Sequence, residues 1–197
     1  FLFKTIGVLA FTAVMFSGLH CVENSRGTSK AKPVLFSQDI PNDLPWSEKM
    51  ARSVMKRNPE AWMTDFRREP SWTYTNGLVM LSFQKLYDQN GEKTYYNYAK
   101  EYADTMITAE GEILDYHIDE FNIDHINAGK ILFRLYDDTG DERYRTALKP
   151  LRRQIEWQPR TREGGFWHKL RYPWQMWLDG LYMGAPFYAE YAKRFNE

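Results

Sequence analysis

Three shortages narrow what this chain can be. Cys21 is the only cysteine in 197 residues, so no intrachain disulfide can hold the fold. Lysine plus arginine and aspartate plus glutamate number 26 each, a balance that gives no electrostatic reason to expect nucleic acid or an acidic membrane surface as partner. Strand-type alternation of polar and apolar residues is nearly absent, which argues against a sheet protein. The apolar run from Ile6 to Phe16 is too short to span a bilayer as a helix. No Gly-x-Ser-x-Gly elbow is present and the lone cysteine lies near the N-terminus, so nucleophilic serine or cysteine catalysis finds no support. His117, Asp119, Asp124 and His125 do not reproduce the spacing of a compact metal site, and neither a metal nor an organic cofactor is signalled.

What the chain has in quantity is aromatic surface: seven Trp and thirteen Tyr. Flat apolar faces edged by polar atoms suit a sugar-binding groove, and they suit core packing about as well. Lys4 followed by the Ile6–Phe16 run reads as a secretory leader over residues 1–21, which predicts an exported protein, periplasmic or anchored to a bacterial envelope. Cys21 just after that run resembles a lipoprotein cleavage site, whereas Gly18-Leu19-His20 departs from the small-residue pattern. A plain leader and a lipid on Cys21 both stay open, and that lipid is the single membrane link expected. Residues 22–45 are polar and rich in Ser, Gly, Pro and Asn, and read as a linker.

Helical periodicity predicts six helices after the linker: Trp46–Arg57, about Thr75–Asp88, Glu92–Thr108, about Asp124–Asp137, Asp141–Glu156 and Pro173–Phe195. Leu86-Tyr-Asp-Gln-Asn-Gly-Glu-Lys-Thr-Tyr95 recurs as Leu135-Tyr-Asp-Asp-Thr-Gly-Asp-Glu-Arg-Tyr144, an offset of 49 positions. In each copy Gly is placed to cap the outgoing helix, an acidic residue to open the next, and a Tyr to pack back on the joint. Repeated helical hairpins predict an all-α solenoid or toroid. About three hairpins are present, the last unfinished at Glu197, so 46–197 is expected to be the N-terminal part of a larger ring.

In such a ring the inner helices run parallel and their starts share one mouth. Trp72-Thr-Tyr74, Asn122-Ile-Asp124-His-Ile-Asn127 and Tyr172-Pro-Trp-Gln-Met-Trp177 before Asp179 all fall there. Asp179 stands among Trp, Tyr, Met, Leu and Gly, and lost hydration favours the neutral, proton-holding form of such a carboxyl group. Capping a neighbouring helix is the plainer use for it. For Asp124, position alone favours capping of the fourth helix. Gly180 and Gly184, four apart on one face of the sixth helix, allow another helix to pack closely. His168 alone is more often a hydrogen-bonded structural residue than a catalyst.

Trp72-Thr-Tyr-Thr-Asn-Gly77, Asp124-His-Ile-Asn-Ala-Gly129, the turn at Leu135–Asp141, His168-Lys169 and Met176-Trp-Leu-Asp-Gly-Leu-Tyr-Met183 together resemble the unsaturated glycuronyl hydrolases. The resemblance is to the unsaturated rhamnogalacturonyl hydrolases of glycoside hydrolase family 105 in particular, over about Trp46 to Asn196. It implies an incomplete (α/α)6 barrel that acts on lyase-generated pectin oligosaccharides by hydrating the 4,5 double bond of a terminal uronic acid. It also implies that Asp179 is the acid and base, that Asp124 assists it, and that Tyr74, His168, Lys169 and Trp177 bind the uronate. Further binding residues, an arginine among them, are expected beyond Glu197. Two other readings remain: an unsaturated glucuronyl hydrolase, and a surface carbohydrate-binding lipoprotein without turnover.

Overall fold

The computed structural model describes residues 39–197; the leader, Cys21 and the linker up to residue 38 lie outside the described residues. The described part is all-helical. α1 spans Trp46–Arg57, α2 Tyr74–Asn90, α3 Lys93–Met106, α4 Ile123–Thr139, α5 Glu142–Trp157 and α6 Ala185–Phe195. Short 3₁₀ turns at Ala61–Asp65 and Ile118–Glu120 and a π-helical turn at Gly180–Gly184 complete it. Extended pairing among the described residues amounts to two isolated bridges, Ile107 with Ile113 and Arg160 with Phe166. No described helix is long and apolar enough to cross a membrane.

The first five helices lie close to their expected bounds, and the repeat explains two of the joints. Gly91 (φ 71°) ends α2 and Gly140 (φ 66°) ends α4, both in the left-handed conformation that glycine adopts without a Cβ penalty. Glu92 then caps α3 by accepting from the Thr94 amide, and Asp141 caps α5 by accepting from the Arg143 amide. Tyr95 and Tyr144 are both buried against their joints, as the repeat predicts.

The inner helices α2, α4 and α6 run parallel. Near the starts of α2 and α4, Asn127 Nδ2 donates to the Tyr74 carbonyl at 2.9 Å. Midway, Gln84 Nε2 donates to the Ile131 carbonyl at 3.1 Å, and toward the ends Arg134 pairs with Asp88 at 2.6 Å. Between α4 and α6, Phe133 meets Phe187 at 5.1 Å and Tyr136 meets Phe195 at 6.4 Å, again in the same order along both helices. α4 is the centre of this arc. It buries Ile123, Ile126, Ile131, Leu132, Phe133 and Leu135 on nearly every side, as a helix flanked on all faces must. The outer helices α3 and α5 bury one stripe each: Tyr95, Tyr98, Ala99, Tyr102 and Met106 on α3, and Tyr144, Ala147, Leu148, Leu151 and Ile155 on α5. Stacked parallel helix pairs of this kind make an arc of an α/α toroid.

Several expectations change. The sixth helix does not begin at Pro173; residues 170–178 are irregular, with Trp174 at a left-handed φ of 66°, and the helical path starts at Asp179. Trp46 and Met50 of α1 are exposed, and α1 packs through Ala51 and Met55 instead. The close helix approach falls at Gly77, not at Gly180 and Gly184. A Cβ on Gly77 would lie 2.7 Å from the Ala128 amide nitrogen and nearer still to its Cα, whereas one on Gly184 would meet neighbours at an ordinary 3.5 Å. That contact brings the starts of α2 and α4 together.

Candidate active site

The mouth is built from three chain segments. Trp72, 1% exposed and stacked on Tyr102 with ring centroids 5.8 Å apart, donates its indole N–H to the His125 carbonyl at 2.8 Å. This fixes the entry to α2 against the entry to α4. Tyr74 follows as the first residue of α2, with its side chain half exposed at the mouth.

Asp124 does not cap α4. Asn122 takes that role by accepting from the Asp124 amide at 3.1 Å, which leaves the Asp124 carboxylate free to face the mouth. Lys169 Nζ donates to one of its oxygens at 2.6 Å, and His168 Nε2 stands 3.7 Å from the other. The Asp124 and Lys169 side chains retain only 15% and 19% exposure, so their charges attract each other with less screening than a surface pair would. Asp179 makes no side-chain cap bond to the turn it opens. Its carboxylate, a ring nitrogen of His168 and the carboxylate of Asp124 all lie within 4.8 Å of one another. The trio is near enough to share a cation, and the ammonium of Lys169 already supplies positive charge at Asp124.

His168 is 2% exposed, and its Nδ1 is buried without a hydrogen-bond partner. Trp177 lies flat on it, with centroids 3.9 Å apart and planes at 10°, and Tyr172 stacks beyond Trp177 at 5.6 Å. Burial holds the imidazole below its ordinary pKa of 6.5; the nearby carboxylates of Asp124 and Asp179 oppose that and Lys169 adds to it. Burial thus favours the uncharged form of the ring. Burial likewise lowers His125, whose carbonyl holds Trp72.

A cavity of about 400 Å³ opens beside these groups, lined by Tyr74, Asp124, Lys169, Arg67, Arg171 and His125 among others. Asp179, His168 and Trp177 do not line it. They form the neighbouring wall toward α6, so Asp124 and Lys169 are where the cavity and the Asp179 cluster meet. Of the six residues singled out from the sequence, Tyr74, Asp124 and Lys169 line the cavity, and His168, Trp177 and Asp179 gather beside it with Trp177 stacked over His168. Sequence reasoning missed the cap at Asn122, the anchor formed by Trp72, and two buried glutamines of α5 and its end, Gln154 and Gln158. Gln154 could have been found: it interrupts an otherwise apolar helical stripe of Ala147, Leu151 and Ile155.

The fold and the site together define an arc of an α/α toroid with a cavity and a carboxylate cluster at the starts of its inner helices. The sequence pattern of Glycosyl Hydrolase Family 88 matches residues 46–197, and the chain belongs to that family. It is also similar to a solved structure of a family 105 glycoside hydrolase from C. acetobutylicum ATCC 824, at 44% identity and a TM-score of 0.70. That match covers 78% of this chain and 41% of the other, so the chain spans about two fifths of that relative's length.

Proposed function

We propose that the protein carrying this chain releases the terminal 4,5-unsaturated uronic acid from lyase-generated oligosaccharides, pectin-derived rhamnogalacturonan fragments in particular. The observation that carries this reading is the Asp179 carboxylate, which caps no turn and lies within 4.8 Å of His168 and of Asp124, the latter on the wall of a cavity of about 400 Å³. The facing oxygens of Asp124 and Asp179, within 4.8 Å, are closer than the roughly 6.5–9.5 Å of inverting hydrolysis and nearer the roughly 5–5.5 Å of the retaining kind. Against a retaining role for Asp124, its carboxylate is held in an ion pair with Lys169.

Hydration of the double bond needs only one group that gives and then takes a proton. Asp179 protonates C4, and positive charge develops at C5 and the ring oxygen. Water adds to C5 and returns its proton to Asp179. The resulting hemiketal opens, and the glycosidic bond breaks as the leaving alcohol departs. Asp124 accepts hydrogen bonds from the sugar hydroxyls, Lys169 offers its charge to the uronate, and Tyr74 and Trp177 supply apolar faces to the ring. The Ile6–Phe16 run supports export to the envelope, where pectin fragments are met.

The test is the ultraviolet absorbance of the 4,5 double bond during incubation with lyase-digested rhamnogalacturonan, alongside fragments ending in unsaturated glucuronate. Faster loss on rhamnogalacturonan fragments supports the proposal, and preference for glucuronyl ends moves the substrate to the second reading. Binding of either without loss of absorbance leaves a carbohydrate-binding protein.

A further inference from the structure

The two segments that carry Asp124 and His168-Lys169 touch each other through backbone and are gripped from behind by α5. The Ile123 amide donates to the His168 carbonyl at 3.0 Å, and the Leu170 amide donates to the Glu120 carbonyl at 3.1 Å. Behind this short ladder sits Gln158, 2% exposed, at the end of α5. Its one amide group donates twice, to the Phe121 carbonyl at 2.6 Å and to the Trp167 carbonyl at 2.8 Å. One side chain thus ties the residue before the α4 cap to the residue before His168. Gln154, fully buried, donates to the Asn122 carbonyl at 2.9 Å and to Gln158 Oε1 at 3.1 Å, and accepts from the Tyr116 hydroxyl at 3.0 Å.

Every donor of both amides is used, and each Oε1 has a partner. The orientation is fixed as well, because a flipped Gln158 would press its oxygen against two carbonyls. A network with no spare group is rigid, and loss of one member strands buried carbonyls. None of these side chains lines the cavity.

We propose that Gln154 and Gln158 are positioning residues, an amide clamp that sets the spacing of Asp124 from His168 and Lys169. The clamp acts first on the substrate-holding groups, because its bonds end at Phe121 and Trp167 and none reaches Asp179, eleven residues beyond His168. This rests on the function proposed above for the same site, so the test has one arm that needs no substrate.

In the full-length protein, Gln158→Met is compared with Gln84→Met. Gln84 is 4% exposed and donates to the Ile131 carbonyl in the middle of the α2–α4 contact, away from the mouth, so the control also loses a buried amide–carbonyl bond. Both variants are expected to melt earlier. Gln158→Met alone is expected to raise KM by roughly tenfold or more, with a smaller fall in kcat, as misplacement of binding groups demands. The arm without substrate is the NMR shift of the His168 ring, which lies in the ring-current field of Trp177 stacked 3.9 Å away. It is expected to move in Gln158→Met and not in Gln84→Met, whatever the substrate proves to be. If both readouts in Gln158→Met match the control at equal loss of Tm, the clamp is merely structural and the proposal fails. Should Gln158→Met not fold, Gln154→Met, which keeps both Gln158 donors, is read by the same criteria with a smaller expected rise in KM.

Discussion

The two ends of the inner helices differ in kind. At the far end the joints at Gly91 and Gly140 are near copies: the same left-handed glycine, the same acidic cap two residues before the amide it accepts from, and the same buried tyrosine. At the mouth the connections 58–73, 107–122 and 158–178 share no such pattern. One leads to an anchoring Trp72, one to the Asn122 cap and the Asp124 carboxylate, and one to the stacked His168, Tyr172 and Trp177 before Asp179. Repetition at one end keeps the helices in register. The freedom of the other end lets side chains from separate segments meet, which no local repeat could arrange.

Substitutions at the two ends should therefore separate chemistry from stability. Asp179→Asn should lower turnover by roughly 10²–10⁴-fold, as loss of a general acid does, with little change in Tm because Asp179 caps nothing. Unchanged turnover would remove the acid from the mechanism. Next, Lys169→Met should cut kcat/KM by about tenfold to a hundredfold, as loss of a charged hydrogen bond does, and steady-state kinetics would show it. The same change should raise the His168 pKa, since a positive neighbour that lowers it is gone; titration of the ring by NMR reads this directly.

Gly77→Ala tests the seam between the ends. Its Cβ meets the Ala128 backbone, so α2 and α4 must part, at a cost of about 1–3 kcal/mol in denaturant unfolding and a rise in KM. At the repeated end, Gly91→Ala and Gly140→Ala meet no atom within 4 Å and pay only for the left-handed backbone. Each should lose about 1 kcal/mol, the two nearly equal, with kinetics unaltered. Clearly unequal losses would break the equivalence of the joints.

The smallest expected effect is a pH slope. His125 and His168 have folded-state pKa values below their ordinary 6.5, so between those values and 6.5 the unfolded chain binds more protons. Their contribution to stability is complete above pH 6.5 and declines as pH falls toward the depressed values. Melting temperature followed downward from pH 7 should show it, and His125→Gln should flatten part of the slope.

The repeated end was legible in the sequence almost residue by residue, because glycine caps, acidic caps and helical stripes are local signals. The convergence of Tyr74, Asp124, His168, Lys169, Trp177 and Asp179 on one rim was legible through topology, since parallel inner helices bring their starts together. The start of α6 was not. Pro173 and the aromatics after it fit a helical first turn locally, but stacking of Tyr172 and Trp177 with His168 holds the segment in an irregular path. Asp124 looked like a cap because Asn122, two residues earlier, is an equally good one, and only the fold decides between them. The close approach at Gly77 rather than Gly180 is likewise a property of two helices together.

The most direct test of the central claim is to run the reaction in D₂O and follow the vinyl proton at C4 by NMR. The account predicts that this signal disappears in step with release of the sugar, with one deuterium placed at C4, and that Asp179→Asn suppresses both. Release of a uronate that still carries its vinyl proton would mean attack at the anomeric carbon and would contradict hydration by Asp179.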